Sequence, residues 1–142
     1  MSFKNLPGFK KRLKKRLVTN PENNVDELVT RACLLVRNRA VDSIARDPKS
    51  GIMYGKHQAS APGEAPAQDM GTLAQSIIFE VTEDKRGVIG QIIAQAKAAP
   101  YARALEFGYK GNNLQPRPFM QPALESQASN IIKMFKKGGL IK

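Results

Sequence analysis

Apolar residues recur at helical spacing in the first seventeen residues of the chain. Three or four positions separate each from the next, and they are Phe3, Leu6, Phe9, Leu13 and Leu17. This spacing places side chains on one face of an α-helix, and lysines or arginines fill most of the positions between them. The pattern predicts a basic amphipathic helix over residues 1–20, which the dipeptide Asn20-Pro21 ends.

A second, longer helix is predicted over residues 22–47, where the acids come first and the arginines follow, as the helix dipole favours. Its broad apolar stripe is formed by Val25, Leu28, Val29, Ala32, Leu35, Val36, Ala40, Ile44 and the stem of Arg39. Cys33 lies at the edge of this stripe, where we expect a buried, small apolar thiol. This helix is therefore predicted to be the main core element, and Asp47-Pro48 ends it.

Periodicity is lost over residues 48–71, which are rich in Gly, Pro, Ser, Ala and Gln. This composition predicts a long loop. Loops of about two dozen residues inside a small domain are usually functional or disordered. We therefore expect this loop to be poorly ordered in the isolated protein.

Alternating side chains predict a hairpin after the loop. Residues 76–83 alternate in the manner of a strand, and residues 84–87 read Asp-Lys-Arg-Gly, a turn sequence with a glycine available for a positive φ. Residues 88–96 are then expected to form the returning, antiparallel strand.

The C-terminal third is predicted to be helical in two places. Residues 101–107 indicate a short helix closed by Gly108, and residues 109–114 indicate a polar turn. A last helix is expected over residues 119–137. Its apolar residues are Phe119, Met120, Ala123, Leu124, Ile131, Met134 and Phe135.

This order of elements predicts an α+β fold. A small antiparallel, hairpin-based sheet should pack against the long N-terminal helix and the C-terminal helix, with the long loop of residues 48–71 between helix and sheet. A chain of 142 residues suits one domain. We therefore expect a single α+β domain over residues 21–137, preceded by the basic helix and followed by a basic tail over residues 138–142.

The excess of positive charge lies at the two ends of the chain. Lys and Arg number 23 against 12 Asp and Glu, a formal charge of +11, while residues 18–132 are electrically neutral. The N-terminal helix could contact packaged or duplex DNA, or pack on an acidic partner or a neighbouring subunit while its lysines stay solvated; contact with an anionic membrane is the least favoured of the three. The candidate DNA or acidic-partner contacts are Lys10, Lys11, Arg12, Lys14, Lys15 and Arg16.

Composition excludes several classes of protein. The one cysteine cannot form an internal disulfide, which excludes a disulfide-stapled secreted fold. No apolar stretch approaches the roughly 20 residues needed to span a bilayer, and the N-terminus lacks the apolar core of a secretory signal. The expected compartment is a reducing cytoplasm, and we expect no membrane partner.

No motif predicts catalysis. Residues 51–57 resemble a phosphate-binding loop, but its glycines are one residue too close together and a histidine follows the lysine. His57 is the one histidine, so neither a multi-histidine metal site nor a histidine-based catalytic set is indicated. Glu80, Glu83 and Asp84 precede or flank a predicted turn, where exposed acids are ordinary. We expect no enzymatic activity, no metal and no cofactor.

Four segments of the chain form a characteristic succession. Residues 60–67 contain Pro-Gly-x-x-Pro, residues 71–77 contain Gly-x-Leu and Ser-Ile, residues 100–108 contain Tyr-Ala and Glu-Phe-Gly, and residues 117–124 contain Arg-Pro-Phe and Pro-Ala-Leu. In this order and spacing they resemble the tail-component family of tailed bacteriophages, the neck or tail-completion proteins that join the tail to the head. The resemblance covers residues 26–135.

The resemblance implies a structural virion protein without turnover. Members of the family are understood to form a ring, usually sixfold, on the tail axis, in contact with head-closure or adaptor proteins and with the tail terminator or tube protein. It implies a homo-oligomer, such as a hexameric ring, in the virion neck, and a stay in the host cytoplasm during assembly. The candidate interface or motif residues are Tyr101, Glu106, Phe107, Gly108, Arg117, Pro118, Phe119 and Pro122.

Some of these residues also allow an interpretation from their chemistry. Arg117 is a fork-shaped donor suited to a carboxylate, and we predict that it pairs with Glu106 within or between subunits. Tyr101 and Phe107 are expected in the core. The prolines around Phe119 stiffen the approach to the last helix, either as a simple helix start or as an interface anchor. The competing function is a basic, non-specific DNA-binding protein.

Overall fold

Two long helices frame the part of the chain that the structure describes. The structure is a computed structural model and describes residues 25–141. Its elements are α1 Val25–Ala45, β1 Met53–Tyr54, β2 His57–Gln58, α2 Thr72–Ser76, β3 Ile77–Asp84, β4 Gly87–Ala94, α3 Ala102–Phe107, a 3-10 turn Lys110–Asn112 and α4 Met120–Lys137. The predicted α+β class is confirmed. The predicted helix over residues 1–20, with its six candidate DNA or acidic-partner contacts, lies outside the described residues, as does Lys142.

Helix α1 buries a row of apolar side chains that recur every four residues. They are Leu28, Ala32, Val36, Ala40 and Ile44, and α1 lies against both β3–β4 and α4. Cys33 is buried as predicted, and burial raises the pKa of its thiol. Leu35 was expected in the stripe but is 37% exposed, because it lies about 100° around the helix from Val36.

Strands β3 and β4 form a regular antiparallel hairpin, as predicted. The register runs from Ile77 opposite Ala94 to Asp84 opposite Gly87, with no bulge between. The carboxylate of Asp84 accepts hydrogen bonds across the two-residue turn from the main-chain N–H groups of Arg86 (2.7 Å) and Gly87 (3.3 Å). The aspartate thereby stabilises the turn that sets the register.

Both ends of the predicted hairpin need correction. Ser76 ends α2 instead of opening β3, and its hydroxyl donates to the carbonyl oxygen of Leu73 at 2.6 Å. The returning strand stops at Ala94 instead of residue 96. The chain turns there because the carbonyl oxygen of Gln95 accepts the N–H groups of Ala98 and Ala99.

Strand β4 crosses α1 at a glycine. A Cβ atom built on Gly90 would lie 2.3 Å from Sγ of Cys33 and 2.8 Å from Cγ1 of Val29. Both distances are shorter than van der Waals contact, so no larger residue fits without displacing the strand or the helix. The glycine therefore permits the close approach of sheet and helix.

The core where these elements meet is small. Half of its ten residues are alanines, and the whole set is Val36, Ala40, Ile44, Leu73, Ala74, Ile77, Ala99, Ala102, Phe119 and Ala123. Small side chains let the helices approach closely, and the largest volumes come from Phe119, Ile44 and Ile77. Phe119, one of the candidate motif residues, is thus a core residue in the described chain.

The predicted loop over residues 48–71 contains structure that the sequence pattern did not indicate. Its two-residue strands β1 and β2 pair with each other. The carboxylate of Glu64 accepts hydrogen bonds from the hydroxyl and N–H of Ser50 and from the N–H of Ala61. These bonds, led by that of the Ser50 hydroxyl, lower the pKa of Glu64. These bonds hold Ser50, near the start of the segment, and Ala61 around Glu64. The poor order expected for the isolated protein stays a prediction.

Helix α4 exposes more apolar surface than its pattern suggested. Phe119 precedes the helix as its N-cap residue, and Ala123 is the buried residue within it. Leu124, expected in the core, is 48% exposed. Its neighbour on the inner face is the smaller Ala123, so the first turn of α4 approaches α1 closely and leaves Leu124 outside.

Candidate subunit interface

The N-terminus of α4 is capped by a side chain from α3. The carboxylate of Glu106 accepts hydrogen bonds from the N–H groups of Phe119 (2.8 Å), Met120 (3.0 Å) and Gln121 (2.9 Å). The next residue is Pro122, which has no N–H. The four N–H groups that a helix leaves unsatisfied at its N-terminus are thereby accounted for, and the negative charge lies where the helix dipole favours it.

The position of Glu106 depends on how α3 ends. Gly108 follows the helix with a φ of 77°, in the region that favours glycine. A Cβ atom there would lie 2.8 Å from the carbonyl oxygen of Leu114 and 3.0 Å from Cδ of Pro116. Gly108 therefore allows the chain to fold back over the end of α3 and to bring α4 within reach of the carboxylate.

Arg117 fastens this returning segment to two other parts of the chain. Its N–H donates to the carbonyl oxygen of Leu105 at 2.6 Å. Its side-chain Nε donates to the carbonyl oxygen of Ser60 at 3.3 Å, and Nη1 donates to that of Gln115 at 3.2 Å. Arg117 thus joins α3, the loop before α2 and its own segment.

The predicted ion pair between Arg117 and Glu106 within one subunit is wrong. Among residues 25–141, the ion pairs involve other side chains. Glu106 instead uses its oxygens on three main-chain N–H groups, while Arg117 donates to main-chain carbonyl groups. Each side chain finds main-chain partners nearby, so neither requires the other.

Pro118 and Pro122 border a cleft of about 340 Å³ between the start of α4 and the end of α1. On the α1 side of this cleft, Arg39 donates two hydrogen bonds to the carboxylate of Asp47, at 3.0 and 2.5 Å. The hydrogen bond from Arg39 lowers the pKa of Asp47. Because both charged groups are already paired, this cleft is part of the junction between the two long helices.

Tyr101 and Phe107, both expected in the core, lie at the surface. Tyr101 is 46% and Phe107 73% exposed. Helix α3 has six residues and buries Ala102. Phe107 comes five positions later, about 140° around the helix from Ala102, and so points away from the core.

Phe107 borders an apolar groove, which we call the interface groove. It has a volume of about 620 Å³, within the range of clefts that bind ligands, and β4 forms one side while α3 and the start of α4 form the other. Its residues are Val36, Gly90, Ile92, Ala94, Ala102, Arg103, Glu106, Phe107, Phe119, Met120, Gln121 and Leu124. The groove brings together Glu106, Phe107 and Phe119 of the candidate residues, whereas Tyr101 and Arg117 line a different cleft, of about 500 Å³.

A second apolar surface, which we call the hairpin patch, surrounds β1. It consists of Ile52, Met53 and Tyr54, all more than half exposed. The sequence placed these residues in a loop, where no periodicity marked them as a group. The density of large apolar side chains in an otherwise polar segment is the signal that could have identified the patch.

Searches for metal sites, for membrane-spanning helices and for related proteins indicate no other site in the described residues. Within residues 25–141, no group of histidines, cysteines and acids could hold a metal ion, and no helix combines the length and apolar character needed to cross a membrane. The chain matches no protein-family model, no curated protein and no solved structure.

Proposed function

We propose that this chain is a structural subunit of a tailed-phage virion, a neck or tail-completion component that joins the tail to the head as a ring on the tail axis. The observation that carries the proposal is the convergence of three of the four segments responsible for the family resemblance. Residues 60–67 hydrogen-bond to residues 116–117 through Gly63 and Ser60, and Glu106 caps the helix that begins in residues 117–124.

The exposed apolar surfaces of the subunit support the proposed ring. A closed ring of identical subunits in head-to-tail contact needs two different surfaces on each copy. The interface groove is an apolar surface suited to one neighbouring copy, and the hairpin patch is a separate apolar surface suited to the head or tail proteins. In the proposed role the ring contacts head-closure or adaptor proteins on one side and the tail terminator or tube protein on the other, and it catalyses no reaction.

An in vitro joining assay tests the proposal. Purified protein is added to heads and tails from a phage lacking this gene, and joined particles are counted. We expect wild-type protein to restore joining and Phe107→Ser to reduce it about tenfold or more, as loss of an aromatic interface anchor does. Ile132→Ser removes another exposed apolar side chain, which lies on α4 outside the groove, and should restore joining. Joining that needs no added protein would contradict the proposal.

A second candidate function, non-specific DNA binding, is favoured by one feature of α4. Lys133, Lys136 and Lys137 are exposed and lie three or four positions apart, on one face of the helix. A gel-shift series in rising salt tests this candidate, since phosphate contacts weaken steeply with salt. Tight duplex binding that is lost when these lysines and the six basic residues at 10–16 become glutamine would favour the DNA function, and absence of binding would favour the ring.

A further inference from the structure

Strand β4 is an edge strand with an accessible main chain. The two-residue turn makes Asp84 and Gly87 a hydrogen-bonded pair, and pairs alternate from there along the hairpin. The hydrogen bond from Gln95 N–H to the Ser76 carbonyl oxygen fits the same alternation. The N–H and C=O groups that point away from β3 therefore belong to Val88, Gly90, Ile92 and Ala94. Within residues 25–141 no strand pairs with this edge.

Accessibility at the middle of the edge is visible at Gly90. This residue has only main-chain atoms, and it is exposed although its Cα faces α1. The main chain of β4 can therefore be reached from outside.

Strand β4 also lacks the features that keep edge strands apart. Proteins protect exposed edges with lysines, prolines, bulges or very short strands. Strand β4 reads Gly-Val-Ile-Gly-Gln-Ile-Ile-Ala, has eight residues, no charge and no proline, and pairs with β3 without a bulge. Such an edge is suited to accept another strand.

The interface groove lies along the same edge. Gly90, Ile92 and Ala94 form one side of it, and Phe107 and Leu124 stand on the other. A strand added to β4 would lie about 4.8 Å from it and would place alternate side chains in the groove. This is the arrangement of β-strand addition, in which main-chain hydrogen bonds give affinity and a neighbouring pocket gives specificity.

We propose that the edge of β4 and the interface groove bind strand β3 of a second copy of the chain, antiparallel to β4. This inference rests on the proposed ring and specifies its subunit contact. Rotation about a ring axis keeps each β3 antiparallel to the neighbouring β4, so the contact repeats from copy to copy and can close.

Charge and chemistry favour β3 as the occupant. Strand β3 carries Glu80, Glu83 and Asp84 and no basic residue. Strand β4 is uncharged, and Arg103 stands on the groove's far side, while the charge of Glu106 is held by the N–H groups of α4. Phe79 and Val81, whose main-chain groups point outward, carry apolar side chains that are only partly buried within the subunit, and such side chains suit an apolar groove.

The first residue of β3 already has a partner for its outward carbonyl group within the subunit. The carbonyl oxygen of Ile77, which also points outward, accepts a hydrogen bond from Nε of Arg37 at 3.1 Å. A second copy's β4 would therefore pair with the residues of β3 that follow Ile77.

A peptide titration tests this contact without requiring a ring. The probe is a synthetic peptide of residues 77–84, added to the full-length, isotope-labelled protein, and amide hydrogen exchange is followed by NMR. We expect exchange at Val88, Gly90 and Ile92 to slow about tenfold or more. Amides of Ile89 and Gln91, which bond to β3 in the monomer, should be slow throughout.

Matched variants keep the test specific. Val88→Pro removes an outward N–H without removing a hydrogen bond to β3, and it should abolish the slowing while the amides of Ile89 and Gln91 stay protected. Gln91→Ala changes an exposed side chain of β4 without adding a charge, and this variant should bind the peptide as wild type does. The same peptide carrying Val81→Pro and Thr82→Pro, which lacks a donor on each edge, should not bind.

Three outcomes would overturn the contact. Edge amides that are already protected before peptide is added would mean that another part of the same chain covers them. If a peptide of residues 87–94 binds as well as the β3 peptide, β4 does not select β3, and a contact between two β4 strands is indicated instead. If amide exchange does not slow at all, the edge of β4 does not bind β3. If the peptide does not bind but added protein restores joining, the proposed function is supported and the β3–β4 contact is wrong. If the peptide binds but added protein does not restore joining, the contact is supported and the proposed virion function is wrong.

Discussion

Glu106 holds the end of α3 against the start of α4, because one carboxylate satisfies three N–H groups of residues 119–121. We predict that Glu106→Ala lowers the free energy of unfolding by about 2–3 kcal/mol, since a charged cap and three main-chain donors lose their partner. Glu106→Gln keeps one acceptor oxygen and should cost less. Urea denaturation measures both.

The matched control for this prediction is Glu125→Ala. Glu125 lies on the exposed side of α4 and accepts one hydrogen bond, from the side chain of Gln121, so its loss should change stability by about 0.5 kcal/mol or less. Equal effects of the two alanine substitutions would show that Glu106 does not act as a cap.

Acid should weaken the segment that follows α1. The pKa of Asp47 is lowered by the hydrogen bond from Arg39, and that of Glu64 by bonds from Ser50 and Ala61. A carboxyl whose pKa is lower in the folded state contributes stability above its ordinary pKa and loses it as pH falls through the folded value. We therefore expect the free energy of unfolding to decrease below about pH 5.

Asp47→Asn isolates one part of this pH dependence. The pair with Arg39 is more than a third exposed, so its contribution at neutral pH should be below about 1 kcal/mol. Urea unfolding at neutral and at acidic pH should show the difference between wild type and variant shrinking with acid. A difference that is the same at every pH would contradict the assigned cause.

The cap could not be predicted residue by residue because its partners are 13 to 15 positions apart. One local signal was available. The last helix begins without Ser, Thr, Asp or Asn at Phe119 and has proline three positions later, so its N–H groups had to find an acceptor elsewhere. The predicted pairing of Arg117 with Glu106 within one subunit is wrong for the related reason that main-chain groups compete with side chains for both.

At the scale of elements, periodicity predicted the long helices and the long hairpin and missed the two-residue strands. The long helix α1, the β3–β4 hairpin and α4 each contain enough residues to show a period. Strands β1 and β2 have two residues each, which is too few for any alternation. Leu124 is exposed because the neighbouring Ala123 takes the inward position on α4, and Phe107 is exposed because it lies on the side of α3 away from Ala102. A hydrophobic pattern does not reveal either choice.

The contact of β4 with α1 gives a prediction at this scale. Gly90→Ala places a Cβ atom against Sγ of Cys33 and Cγ1 of Val29, so the free energy of unfolding should fall by about 1–3 kcal/mol. Adding Cys33→Ala to Gly90→Ala removes the nearer obstacle and should recover part of the loss. Gln91→Ala, at the exposed neighbouring position, should have little effect.

These Gly90 variants are compared by chemical denaturation. If Gly90→Ala is as stable as wild type, or if Cys33→Ala brings no recovery, then the strand and helix are not in the close contact described here.

At the scale of the whole molecule, the charge of +11 is separate from the surfaces that support assembly. The interface groove and the hairpin patch are apolar, whereas the basic residues concentrate at the two ends of the chain. We predict that the isolated protein is monomeric or weakly associated and forms its ring at the head–tail junction. Light scattering at micromolar concentration should give a mass near 15.6 kDa, and a stable large ring would contradict this prediction.

The proposed ring lies where head and tail meet, and cryo-electron microscopy of particles joined with tagged protein locates it directly. We expect a closed ring of tag density on the tail axis at the head–tail junction, absent from particles joined with untagged protein. Joined particles without tag density at the junction, or tag density elsewhere in the particle, would contradict it.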